Sequence, residues 1–166
     1  QQLEAIVQAP PRFGPGLDLV AYALTAAAAT PMFGGSLTDA ALGLIAGAAV
    51  GLAARVVPDR LLVPTGGFVA ALSSAAFAPI FGAVNVDAAT LGGVIVLVPG
   101  FTLTLGVSEL VTHNVTAGVS RLGAALITAL SLSFGVIFGR ATGDFFTDLS
   151  TLTPGTPAPL WVSWVM

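Results

Sequence analysis

The chain has no cysteine, no lysine and one histidine, and only 8% of its 166 residues are charged. Without cysteine there is neither a disulfide framework nor a thiolate metal site. One histidine and few carboxylates make too small a donor set for a metal centre, so no metal is expected. The five basic residues are all arginine, scattered from Arg12 to Arg140, and are too sparse to form a nucleic-acid surface. There is no G-x-S-x-G elbow, no phosphate loop, no H-E-x-x-H and no dinucleotide fingerprint. Neither an enzyme nor a bound cofactor is therefore expected. The scarcity of charge also argues against a soluble fold, because an average soluble domain is about 25% charged.

What the chain does contain is apolar: 55% hydrophobic residues and a mean hydropathy of +0.97. A fold of this size cannot hide so much apolar surface from water, so its solvent is membrane lipid. Helices are the open-chain solution there, since backbone polar groups must be satisfied within the segment. No alternating, turn-punctuated pattern supports a barrel. The expected fold is an all-α integral membrane protein with spans near 17–33, 37–56, 61–82, 88–110 and 119–139. Residues 17–140 form the transmembrane domain, 141–159 a Thr/Pro-rich extracytoplasmic linker, and 160–166, with Trp161 and Trp164 as interfacial residues, the start of a further span. With the N-terminus inside, Arg12, Arg55, Arg60 and Arg121 are cytoplasmic and only Arg140 is outside, which is the favoured orientation. The abundance of alanine and glycine and the absence of lysine point to a high-GC bacterial genome, hence to a bacterial cytoplasmic (inner) membrane.

An odd span count has a consequence. A similar five-span unit that followed would insert upside down, giving the inverted repeat of many transporters, with the substrate site at the repeat interface. No convincing repeat lies within the 166 residues, so the second unit is expected in the same chain or in a partner subunit.

The fourth span carries the chemistry. Pro99 lacks an N–H and clashes with the preceding turn, and Gly100 adds freedom beside it. The result is either a plain proline kink or a working break whose following half-helix, Phe101-Thr102, offers free amides to a substrate carboxylate. At about 100° per residue Thr102, Gly106, Glu109, His113 and Thr116 share one face, with Leu103, Val107, Leu110 and Val111 opposite. Glu109 and His113 are i,i+4 neighbours on that reading and are candidate proton-coupling groups; alternatively both are solvated at the cytoplasmic interface. Asn114 is a candidate substrate contact. Arg121 reads chiefly as a positive-inside anchor, with an ion pair to Glu109 as the alternative. Elsewhere, Gly43, Gly47 and Gly51 form a small-residue stripe for close helix packing. Asp39 reads as a solvated cap at the outer surface and Asp18 as a cap or interfacial residue. Ser73, Ser74, Ser131 and Ser133 read as interhelical hydrogen-bonding positions.

Several of these features occur together in one family. Leu97-Val98-Pro99-Gly100, Glu109 nine positions later, Gly118-x-x-Arg121-Leu122 and a glycine-rich last span resemble the first membrane domain of threonine/serine exporter family proteins. The Phe33-Gly34-Gly35 turn, Asp39 and the glycine-rich second span fit the same pattern, so the resemblance runs from about Leu17 to Gly139. It implies a second five-span domain and export of threonine, serine or similar small polar metabolites driven by the proton-motive force. Two-part relatives imply dicarboxylate, succinate-type export as an alternative. The resemblance also makes residues 1–16 the remnant of a cytoplasmic segment, and Pro99, Gly100 and Glu109 motif positions. A non-transporting scaffold subunit is the competing reading, and a homo-oligomer fits either.

Overall fold

The structure is a computed structural model that describes residues 15–146. It consists of helices α1 (Pro15–Ala29), α2 (Leu37–Val56), α3 (Asp59–Phe81), α4 (Val86–Val94), α5 (Gly100–Val111) and α6 (Val115–Phe146), with short 3-10 turns at Thr30–Phe33 and Ile95–Leu97. No strand occurs among the described residues. Four segments are long and apolar enough to cross a membrane, and a pair bent by 59°, α4 with α5, makes up to five.

The helix boundaries follow from local chemistry. The first turn of α2 is a capping box: the Ser36 hydroxyl accepts from the Asp39 amide, and the Asp39 carboxylate accepts from the Ser36 amide. Asn85 caps α4 by accepting from the Ala88 amide at 3.1 Å. Gly34, at φ +80°, and Gly82, at φ +77°, supply the left-handed residues that end the first and third spans. The last helix is longer than the span expected from hydropathy, beginning at Val115 and continuing to Phe146. Residues 141–146 are therefore helical, where a linker was expected. The remainder of that linker, the segment 160–166 with Trp161 and Trp164, and Arg12 lie outside the described residues.

Lipid provides no hydrophobic force to press one helix on another, so association rests on close approach of small residues. The buried positions accordingly include Ala26, Ala46, Ala70, Ala71, Ala75, Ala78 and Ala89. Along α2, Gly43 meets Thr30, Gly47 meets Ala26 and the Tyr22 carbonyl, and Gly51 meets Leu19 and Tyr22. A methyl group on Gly47 would stand 2.6 Å from that carbonyl oxygen. Larger residues fill the spaces between these crossings. Leu42 packs with Ala78, Val84, Val86 and Ala89, and Val50 with Ala70, Val94 and Leu132.

A second glycine seam joins α3 to α6. Gly135 faces the Pro64 carbonyl, Gly139 the Phe68 carbonyl and Gly143 the Ala75 side chain. Both sequences ascend together along this seam, so the two helices run parallel. Pro64 is the sixth residue of α3, whereas Gly135 is the twenty-first of α6. At about 1.5 Å per residue, α6 extends roughly 20 Å beyond the start of α3. It is this overhanging half of α6 that carries α5, which packs chiefly on α6.

Candidate functional site

The interruption of the fourth span begins earlier than Pro99. The α-helix ends at Val94, a 3-10 turn covers Ile95–Leu97, and Val98 is extended at φ −66°, ψ 128°. A proline disfavours the helical conformation in the residue before it, which is the state Val98 avoids. Pro99 then sits at φ −78°, ψ 44°, and the Gly100 amide donates to the Val98 carbonyl at 2.8 Å. That geometry is an inverse γ-turn. Helical bonding resumes with the Leu103 amide on the Pro99 carbonyl at 3.0 Å, so the Phe101 and Thr102 amides have no helical acceptor. The break is anchored by Leu97, whose side chain occupies the place a Cβ on Gly66 of α3 would need. Around it, Pro99 and Thr102 are partly buried and Gly100 is exposed. Phe101 is 80% exposed.

At the other end, α5 stops at Val111, and the expected polar line through His113 and Thr116 stops with it. His113 has φ 63°. Its amide donates to the Leu110 carbonyl at 3.1 Å, and the Asn114 amide donates to the Glu109 carbonyl at 2.8 Å. This is a Schellman turn with histidine in the left-handed position that glycine or asparagine usually occupies. Glu109 and His113 are thus not neighbours on a continuous helix. Asn114 starts α6 through its carbonyl, which accepts from the Gly118 amide at 3.0 Å. Both His113 and Asn114 are exposed.

The turn folds α5 back on α6 at close range. A Cβ on Gly106 would stand 3.0 Å from Leu122, and one on Gly118 would stand 2.8 Å from Leu110. This approach brings Glu109 beside Arg121, whose Nε donates to Oε1 at 2.8 Å. Arg121 is therefore an ion-pair partner across the bend rather than only an interfacial anchor. The second carboxylate oxygen of Glu109 is buried and has no hydrogen-bond partner.

Other expectations are revised. Asp39 is a cap, but it is fully buried instead of solvated. Its Oδ2 accepts from the Ser36 amide at 2.6 Å and the Ser36 hydroxyl at 2.8 Å. Its Oδ1 accepts from the Asn85 amide at 2.7 Å, so one carboxylate ties the start of α2 to the start of α4. Asp39→Ala is expected to cost about 1–3 kcal/mol by stranding the buried Ser36 amide and the partly buried Asn85 amide, measured as a lower thermal midpoint in detergent. Ser73, Ser131 and Ser133 bond to carbonyls of their own helices, not across helices. The Ser74 hydroxyl is buried without a partner. On the opposite end from the hairpin, Arg140 reaches Asp87 at 2.9 Å and Asp144 at 3.6 Å, joining α6 to the first turn of α4.

Sequence reasoning did not single out Thr30. It is buried, and its hydroxyl donates to the Ala26 carbonyl at 2.8 Å. Gly35, Gly43 and Gly92 converge on it from three directions. Among the described residues no three acidic or histidine side chains converge as a metal site.

Residues 1–142 match the ThrE family, described as "Putative threonine/serine exporter". An uncharacterised protein of Schizosaccharomyces pombe is 30% identical, over 93% of this chain and 22% of its own length. Pheromone-regulated membrane protein 10 of Zygosaccharomyces rouxii is 29% identical, over 84% of this chain and 15% of its own. The protein of that name from Saccharomyces cerevisiae is 28% identical, over 78% of this chain and 36% of its own. The chain thus spans about a third or less of the curated relatives it matches. No solved structure matches it. The family match over most of the chain, together with an all-helical architecture of four to five candidate spans, establishes that this is a multi-pass membrane protein belonging to the threonine/serine exporter family.

Proposed function

We propose that this chain is the first five-span domain of a secondary transporter that exports threonine, serine or a similar small polar metabolite, with proton coupling at Glu109. The observation that carries the reading is the half-satisfied carboxylate: Oε1 of Glu109 is held by Arg121, and Oε2 is buried and unpartnered. A proton on Oε2 removes the negative charge and with it the hold on Arg121. Because α5 rests chiefly on α6, that change acts on the contact that fixes α5. A span interrupted at Ile95–Pro99 can absorb the resulting movement, and its free Phe101 and Thr102 amides suit a substrate carboxylate. Pro99 and Gly100 shape this binding end, and Asn114 contributes a side-chain amide at the other end of the hairpin.

The N-terminus is taken as cytoplasmic, which puts the His113 turn on the inner side of a bacterial-type cytoplasmic membrane. There His113, exposed at the turn, is the second candidate proton-carrying group. Glycine suits a left-handed turn better than histidine does, so His113→Gly removes the imidazole without straining the backbone. Slower proton-driven export with an unchanged thermal midpoint is expected in reconstituted vesicles. Unchanged export removes His113 from the coupling path. The apolar side of the hairpin, Phe101, Val107, Val111 and Val119, is more than half exposed at every position, and a second, inverted five-span domain, in the same chain or a partner, would cover it.

Free helix amides serve any carboxylate, so dicarboxylate export is the second reading. Vesicles loaded in turn with threonine, serine and succinate separate the two by which substrate leaves under an imposed pH gradient. Movement of none of the three, with the partner domain present, would leave only the scaffold reading.

A further inference from the structure

A different place in the fold carries a ligand-binding inference. Between the first turns of α1 and the last turns of α2 lies a cavity of about 390 Å³, lined by Asp18, Ala21, Tyr22, Gly51, Ala54 and Arg55. At its floor the two helices are in close contact, since a Cβ on Gly51 would stand 3.1 Å from both Leu19 and Tyr22. One wall holds a carboxylate and the other a guanidinium, yet among the described residues Asp18 and Arg55 form no ion pair with each other or with any other side chain. Two of the other described arginines are paired, Arg121 with Glu109 and Arg140 with Asp87, whereas Arg60, like Arg55, is not. Both residues are exposed, so this lining presents a cation site and an anion site at once.

We infer that this cavity binds a small zwitterion, with its acidic group on Arg55, its ammonium on Asp18 and its body against Tyr22. A guanidinium takes a carboxylate or phosphate by paired hydrogen bonds, and a carboxylate takes an ammonium. Two sources share this chemistry, a free α-amino acid and the phosphoethanolamine headgroup of a membrane lipid. The site is separate from Pro99 and Glu109 and does not depend on transport. On the orientation proposed above it opens toward the cytoplasm, where an exporter loads.

The test uses the protein in phosphatidylglycerol nanodiscs, whose headgroup carries no ammonium, titrated with L-serine by calorimetry, then in nanodiscs that also contain phosphatidylethanolamine. Asp18→Asn and Arg55→Gln are each expected to weaken L-serine binding about tenfold or more, as loss of one charge-assisted contact implies. The charge-exchanged double variant, Asp18→Arg with Arg55→Asp, restores most of it, and matched thermal midpoints verify folding. Competition by phosphatidylethanolamine that depends on both residues assigns the site to the headgroup and keeps the zwitterion chemistry. Binding of both probes that is indifferent to both residues in folded protein overturns the inference, as does an absence of binding by either. The readout is binding alone, with no pH gradient and no transport, so failure here is distinguishable from failure of proton coupling.

Discussion

Glu109→Gln is expected to abolish export driven by a pH gradient while leaving the protein folded. The amide has nearly the carboxylate's shape, and its oxygen can still accept from Arg121 Nε, which stands 2.8 Å from Oε1. What it cannot do is gain and lose a proton. Substrate exchange across the membrane, with substrate on both sides and no net proton movement, should therefore persist in the variant. Loss of net export with retained exchange identifies a coupling group. Wild-type export by the glutamine variant would end the coupling role. Loss of both activities with an unchanged thermal midpoint would instead make Glu109 a substrate contact. An ionisable residue within a membrane segment costs about 2.5–3.5 kcal/mol on insertion scales. Pairing with Arg121 lowers such a cost, and the close approach at Gly106 and Gly118 makes the pairing possible.

The spans were legible because lipid imposes length and apolarity on a helix, and Leu37–Val56 was readable to the residue. The break was legible in Pro99-Gly100, but its start at Ile95 was not, since nothing in Ile95-Val96-Leu97 forbids an α-helix. Helical periodicity misled at His113 for a related reason. A period assigns a face only while the helix lasts, and the left-handed turn at a histidine carries no glycine to mark the stop. The Glu109–Arg121 pair was visible as an option, because a short turn between two apolar runs makes them antiparallel neighbours. Burial of Asp39 was not. Its capping box is local and readable as Ser36-x-x-Asp39, whereas the Asn85 amide that encloses it is 46 residues away. Thr30 was hidden most completely. An ordinary threonine before a proline gives no sign that Gly35, Gly43 and Gly92, from three separate parts of the chain, meet on its side chain.

That meeting point yields the second large effect, on stability. Gly43→Ala is expected to destabilise the bundle by about 1–3 kcal/mol, the usual cost of overpacking a close-packed interior. The added methyl would overlap the Thr30 hydroxyl and stand 3.3 Å from the Ala26 carbonyl oxygen. Thr30 cannot rotate freely to escape. Its hydroxyl is held by Ala26, its γ-methyl lies 2.7 Å from where a Cβ on Gly35 would be, and Gly92 closes the remaining side. Thr30→Ala alone removes the hydroxyl together with its hydrogen-bonding need, so its cost should be the smaller. In the double variant the two alanine methyls would be about 3.3 Å apart, the distance from the Gly43 Cβ position to the Thr30 Cβ, which a slight shift relieves. The double-mutant cycle should therefore show strong positive coupling: the pair of substitutions costs less than the sum of the singles. Thermal unfolding of the four proteins in one detergent measures this directly. Additive losses would mean that the three glycines serve backbone approach between α1, α2 and α4 and that the Thr30 side chain is incidental. A non-additive result would place the joint of the first, second and fourth spans at that one threonine, with the buried Asp39 separately tying the second span to the fourth.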